Sequence, residues 1–248
     1  MSISNIDENL LDVRGLTTYF PVTEGILINQ KVAQVHAVEN VSFFIKPGET
    51  LSLVGESGCG KTTTGRTIIG LEKSSNGEIL FEGKSLSKFN REEHKDFCQK
   101  VQMIFQDPYS SLNPRITVAE AIAEPLRVHN LVNGSEIGQR VTDLLKKVDL
   151  PPEFGQRYPH EFSGGQRQRI SIARALALNP KLIICDEAGS ALDVTIKAQV
   201  INLLMSLQEQ LGLTYLFISH DLAVVERISH RIAAVSYTHL TLPTKRIV

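Results

Sequence analysis

The chain has 248 residues, with 26 lysines and arginines against 27 aspartates and glutamates, a formal net charge of −1. At 42% apolar and 21% charged residues, the composition is that of a folded domain with a proper core, and it excludes disordered, collagen-like and disulfide-scaffold chains. The near-neutral charge lacks the basic excess of a dedicated nucleic-acid binder or a polybasic membrane anchor.

Cys59, Cys98 and Cys185 are scattered without metal-ligand spacing, and reduced thiols in a cytosolic protein are their simplest account. Met1–Leu10 carries acids where a signal peptide needs a basic start. No run approaches the ~18–20 apolar residues of a membrane span. The expectation is a soluble protein that other subunits hold at a membrane if it works there.

In chain order, Leu11–Phe20 and Val35–Lys46 mix β-branched and aromatic residues and close on Pro47-Gly48-Glu49, which predicts antiparallel strands. Thr50–Val54 is a short apolar strand running into a glycine-rich loop, and Gly77–Gly83 is a second strand-turn signal before a polar stretch to Lys100. Val101–Phe105 predicts a buried strand. From Thr117 to Val148 the pattern is helical, interrupted by Pro125 and by Asn133-Gly134. Ser163 caps a helix that ends before Asn179-Pro180, and Leu182–Cys185 is a central strand. Val200, Leu203, Leu204, Leu207 and Leu211 fall at helical spacing between a cap at Asp193 and a terminator at Gly212, and Tyr215–Ile218 is a further buried strand. The alternation predicts an α/β fold with a mostly parallel sheet. An N-terminal antiparallel β part and a helical segment over about 107–178 are added to that core.

Gly55-Glu56-Ser57-Gly58-Cys59-Gly60-Lys61-Thr62 matches G-x-x-x-x-G-K-[ST], with a strand before it and a helical stretch after it. Glycines allow successive N–H groups to turn inward onto phosphate oxygens, and the following helix adds its positive end. Lys61 would reach the β- and γ-phosphates and Thr62 would ligate Mg²⁺. The competing account is a chance glycine turn, and the strand–loop–helix context decides against it.

Asp186-Glu187 ends a buried strand, where open α/β sheets bind ligands. Asp186 fits a second Mg²⁺ anchor, and Glu187, pointing to the other side, can polarise an attacking water. Gln106 closes another strand and could touch the metal and the lytic water. His220 closes a third and could donate to the γ-phosphate. Each alone is an ordinary strand-end group; together, after a phosphate loop, they are hard to dismiss. Ser163-Gly164-Gly165-Gln166 opens a helix and makes a second anion site. A single chain has no obvious need for two, but two chains facing head to tail would.

At these positions the chain resembles the ATP-binding cassette ATPases, over roughly residues 10–235. The P-loop is similar to Gly55–Thr62, the Q-loop to Gln106, the signature to Phe162–Gln166, and the Walker B strand to Leu182–Asp186 with Glu187 as the catalytic glutamate. The D-loop is similar to Ser190–Asp193 and the switch histidine to His220. Phe162 stands for the commoner Leu and Ala188 for a frequent Pro. The resemblance implies a P-loop NTPase core with an inserted α-helical signature subdomain, and ATP hydrolysis coupled to transmembrane transport with ATP and Mg²⁺. It implies nucleotide contacts at Gly55 to Thr62 and at Thr63, and adenine stacking on Tyr19. It further implies catalytic roles for Lys61, Gln106, Glu187 and His220, metal contacts at Thr62, Gln106 and Asp186, and contacts from Ser163–Gln166 and Asp193 across a dimer.

Gly55–Arg66, Met103–Pro114, Tyr158–Arg169 and the insertion between Tyr19 and Val35 are similar to the dipeptide/oligopeptide importer ATPases. Such proteins work peripherally at the cytoplasmic face with two permease subunits, a second ATPase and an extracytoplasmic binding protein. Nickel or another small solute is the alternative cargo. A non-transport ATPase on ribosomes or DNA is opposed by the single cassette, the absence of a coiled-coil insertion and the lack of basic surplus. Residues 236–248 match nothing in the family, and a truncation or a non-native tail is expected there.

Overall fold

The computed structural model describes residues 9–24, 30–190, 192–235 and 240–241. β1 (Leu11–Glu24) and β2 (Gln30–Ile45) form an antiparallel pair from Leu11↔Ile45 to Glu24↔Gln30, with bulges that let it twist. The apolar Thr50–Val54 follows as β3, buried throughout. α1 (Lys61–Ile68) leaves the loop after β3 and lies close on the larger sheet. A Cβ at Gly65 would sit 3.0 Å from Ile218 Cδ1. β4 (Asn76–Phe81) and β5 (Lys84–Ser85) complete a four-stranded sheet of order β2-β1-β4-β5.

The polar stretch up to Lys100 holds a helix that apolar spacing does not announce, α2 (Arg91–Lys100). Its cap sets it. Asn90 Oδ1 accepts from the amides of Glu92 (2.9 Å) and Glu93 (3.0 Å), and Glu93 Oε2 accepts from Asn90 N (2.9 Å), so that orphan donors are satisfied reciprocally.

After β6 (Val101–Ile104) come α3 (Pro108–Ser111), α4 (Val118–Val128), α5 (Ile137–Lys147) and α6 (Gly164–Leu176), joined by 3-10 turns, before β7 (Leu182–Asp186). Every described element between β6 and β7 is helical. Pro125 does not interrupt α4, contrary to the sequence reading. The lost hydrogen bond and ring clash cost about 3 kcal/mol, but burying Ile122 and Leu126 on the same helix returns about 1.5–3 kcal/mol each. The helix ends instead before Asn130, which takes the left-handed conformation at φ +53°.

α7 (Val194–Leu211) is capped by Asp193, whose Oδ1 accepts from Ile196 N at 2.9 Å, and stops at Gly212 with φ +65°. β8 (Thr214–Ile218), α8 (Leu222–Ile228), β9 (Arg231–Val235) and β10 (Leu240–Thr241) follow. The sequence reading assigned no element to 222–235, although Asp221 caps α8 by accepting from Val224 N. Of the expected atypical tail, Leu240–Thr241 pairs antiparallel with β9, and the rest lies outside the described residues.

The larger sheet has the order β10-β9-β3-β8-β7-β6, parallel except for β10. Its period-2 alternation divides the core. Ile183, Cys185, Tyr215 and Phe217 join Val200, Leu204 and Ile170 of the helical side. Ile184, Leu216 and Ile218 join Ile68, Leu51 and Leu11 toward the smaller sheet. The register pairs Leu53 and Asp186 with Ile218, and Ile104 with Cys185. The loops that start at Gly55, Gln106, Glu187 and Ser219 therefore leave one edge of the sheet together, which is where such sheets bind ligands.

Candidate functional site

The Gly55–Thr62 loop is built from backbone that other residues would strain. Gly58 and Gly60 have φ of +82° and +93°. A Cβ at Gly60 would lie 2.0 Å from Ala37 O, and one at Gly55 2.2 Å from Val235 O. β2 and β9 thus press on the loop from two sides, and glycine at 55 and 60 is a steric requirement. Gly60 also starts α1 without a side-chain cap, which leaves first-turn amides aimed into the loop. Lys61, buried, curls into it: its ammonium donates to Gly55 O (2.8 Å) and Glu56 O (2.7 Å) and lies 3.6 Å from Cys59 Sγ. Thr63 supports the helix by accepting from Thr67 Oγ1 at its carbonyl (2.8 Å).

Across the sheet edge, Thr62 Oγ1 donates to Asp186 Oδ1 at 2.8 Å. Asp186 is buried, and burial pushes its carboxyl above the ordinary carboxylate range. Neighbouring Glu187 adds to that, while the Thr62 hydrogen bond, Arg66 and Lys61 oppose it.

Glu187 leaves the strand in the left-handed conformation, φ +47°, and its amide donates to Ile218 O at 2.9 Å. This turn sends the adjacent carboxylates to different partners. Gln106 Nε2 donates to Glu187 Oε2 at 2.6 Å, and His220 Nδ1 lies 2.9 Å from Glu187 Oε1. For His220 to donate to this carboxylate, the ring proton must be on Nδ1. The structure brings together Gln106, Glu187 and His220, and next to them Thr62 with Asp186.

Ser163–Gln166 lie at the start of α6. Ser163 Oγ accepts from Gln166 N (3.3 Å) and Gln166 Oε1 accepts from Ser163 N (3.0 Å), a reciprocal cap. Gly165 has a packing reason as well: a Cβ there would meet Ile196 Cγ2 at 2.3 Å. The described contacts of Ser163–Gln166 lead to their own cap and toward α7, and none leads to Gly55–Thr62. Asp193 serves as the α7 cap, and Ala191 of the same loop lies outside the described residues.

Tyr19, on β1, pairs with His36 of β2, and the rings stack at 4.0 Å and 23°. Its hydroxyl donates to Glu39 at 2.7 Å and 2.9 Å, which raises its pKa, and His36 Nδ1 is 3.0 Å from Glu39 Oε2. The sequence reading missed His36 and Glu39, because only the strand register sets them against Tyr19. It also missed Lys197, whose ammonium pairs with Asp221 at 3.0 Å beside His220.

Thr62, Asp186 and the carbonyl of Gln106 offer hard oxygen donors of the kind Mg²⁺ prefers. Among the described residues no group of three His, Cys, Asp or Glu could hold a metal alone.

The profile of the ABC transporter family matches residues 38–190. The chain belongs to this family. It is 59% identical over 226 residues to the glutathione import ATP-binding protein GsiA of Escherichia coli (strain K12) and of Salmonella paratyphi A, and 58% to that of Pectobacterium atrosepticum. These matches cover 91% of this chain and 36% of each relative, so the chain spans about a third of their length. Its fold is the ABC ATPase fold. The dimeric ATP-binding cassette MJ0796 in a post-hydrolysis state bound to ADP and Pi superposes with a TM-score of 0.81 at 29% identity, covering 96% of this chain and all of that one. Part of the ABC transporter complex cbiONQ from Clostridium perfringens, cbiO1, gives 0.80 at 26% identity, covering 95% and 88%. Among the described residues no helix is long and apolar enough to cross a membrane.

Proposed function

We propose that this chain is the ATP-binding and hydrolysing part of an ABC importer for small peptides. The observation that carries the reading is the convergence of Gln106 and His220 on the Glu187 carboxylate, beside the Thr62–Asp186 pair and the Lys61 loop. The cargo follows from the relatives, named as glutathione import proteins, since glutathione is itself a short peptide.

In this reading the loop amides and Lys61 bind the phosphates, Lys61 exchanging its bonds to Gly55 O and Glu56 O for phosphate oxygens. Glu187 orients a water for in-line attack and accepts its proton as the water oxygen bonds to the γ-phosphorus and the bond from that phosphorus to the departing ADP oxygen breaks. Gln106 and His220 hold the carboxylate in place through their contacts with its two oxygens. Thr62, Asp186 and Gln106 would hold Mg²⁺, which supplies charge neutralisation between the phosphates. Tyr19 offers its ring to the adenine. Ser163–Gln166 and Asp193 serve the nucleotide of a second ATPase copy. Two permeases and an extracytoplasmic binding protein complete the assembly, with this chain at the cytoplasmic face.

The test is Glu187→Gln, followed by equilibrium ATP binding and by phosphate release. Gln keeps the size and the hydrogen bond from Gln106 but cannot take a proton. ATP affinity is expected to hold while turnover falls by roughly 10²–10⁴-fold. Hydrolysis at the parent rate would remove Glu187 from its role.

A further inference from the structure

α6 turns a polar stripe toward α3. Arg167, Ser171 and Arg174 recur at i, i+4 and i+7, one face of a helix, and each meets the segment just after Gln106. The Arg167 guanidinium lies 3.6 Å from the centre of the Tyr109 ring. Ser171 Oγ is 3.2 Å from Ser111 Oγ, and Arg174 Nη1 donates to Ser111 O at 2.5 Å.

Arg167 is the unusual member, because it is buried under a tyrosine that is itself 63% exposed. Its Nε donates to Pro159 O at 2.7 Å and its Nη2 to His160 O at 3.4 Å. Those carbonyls belong to the turn that leads into Ser163. Its Nη1 has no hydrogen-bond partner among the described residues. A buried guanidinium with an unpaired N–H is a poor way to stabilise a core, so packing alone does not account for it. At the other end, Asp107 alone separates Gln106 from α3, and its Oδ1 caps α3 through Tyr109 N at 2.8 Å.

We infer that Arg167, Ser171 and Arg174 are positioning residues that fasten α3 to α6, so that Gln106 and Ser163 move as one body. A shift of the signature helix then alters the Gln106–Glu187 hydrogen bond of 2.6 Å. In this way the hydrolytic carboxylate senses whether the signature face is engaged. The stripe deepens the proposed function and rests on it.

The experiment uses the full-length protein with Tyr109→Leu, Tyr109→Phe and Arg167→Lys. Phe keeps the ring face that the guanidinium covers, whereas Leu removes it, and Lys keeps the charge without the planar fork. Tyr109→Leu and Arg167→Lys are expected to lower kcat roughly tenfold with KM for ATP unchanged, and Tyr109→Leu, which leaves the Arg167 hydrogen bonds in place, to keep the parent melting temperature. Amide hydrogen exchange in residues 109–111 should quicken in both, and Tyr109→Phe should restore parent behaviour in every readout. A normal kcat in Tyr109→Leu overturns the inference, and so does a loss that tracks KM or melting temperature. If the parent protein hydrolyses no ATP, the proposed function fails by itself. Exchange still decides the clamp then, and unchanged α3 amides in Tyr109→Leu sink it.

Discussion

Glu187 works from a backbone conformation that costs an ordinary side chain about 1–2 kcal/mol. The geometry gives the reason. On a regular strand, Asp186 and Glu187 would project to opposite faces of the sheet. The left-handed turn keeps both at the edge while separating their partners, Thr62 for one and Gln106 with His220 for the other. Asp186 carries a different burden. Burial raises its pKa in the folded chain above the unfolded value, so the carboxyl favours folding when protonated, and that advantage is lost as pH rises through the folded pKa. Above the folded pKa the ionised group therefore works against stability. Asp186→Asn keeps an oxygen for Thr62 and removes the charge. Its melting temperature should rise by about 2–4 °C per kcal/mol relieved, the gain shrinking as the pH falls below the folded value, while ATP turnover is lost. A lower melting temperature at pH 7 would show that the charge is satisfied in the folded protein.

At the scale of elements, strands and helices differ in how openly the sequence announces them. β3, β6, β7 and β8 are short apolar runs and were readable, as was α7 between Asp193 and Gly212. α2 was not, because Phe97 is its buried residue and its mean composition is polar. Its signal was the Asn90–Glu93 capping box. Removing that cap by Asn90→Ala should cost about 1 kcal/mol of stability in denaturant unfolding, with ATP affinity intact; no measurable loss would mean that α2 is fixed by its tertiary contacts. Pro125 misled for the opposite reason, since a local breaker was outweighed by the buried face of α4. The short α8 gave too few turns for periodicity, and its legible mark was Asp221.

Over the whole molecule, sequence motifs singled out Thr62, Gln106, Asp186, Glu187 and His220 but not the contacts that bring them together. Gln106, Glu187 and His220 stand 81 and 33 positions apart in the chain, and only the parallel register of β6, β7 and β8 brings them within hydrogen-bond reach. The register of β1 and β2 does the same for Tyr19, His36 and Glu39. Spacing could not reveal the stripe on α6, because its partner α3 is four residues long and lies sixty residues earlier. The described contacts hold Ser163–Gln166 in their own cap and against α7, and none of them reaches Gly55–Thr62. This separation within one chain underlies the central claim that the signature face serves a nucleotide held by a second copy. The most direct measurement is ATP turnover of Ser163→Asp in the full-length protein, with ATP binding and melting temperature alongside. Aspartate caps a helix as well as serine, so the fold and the affinity of the phosphate loop should hold, but its charge would face the phosphates. The account predicts normal binding and stability with turnover reduced at least ~100-fold; turnover at the parent rate would contradict it.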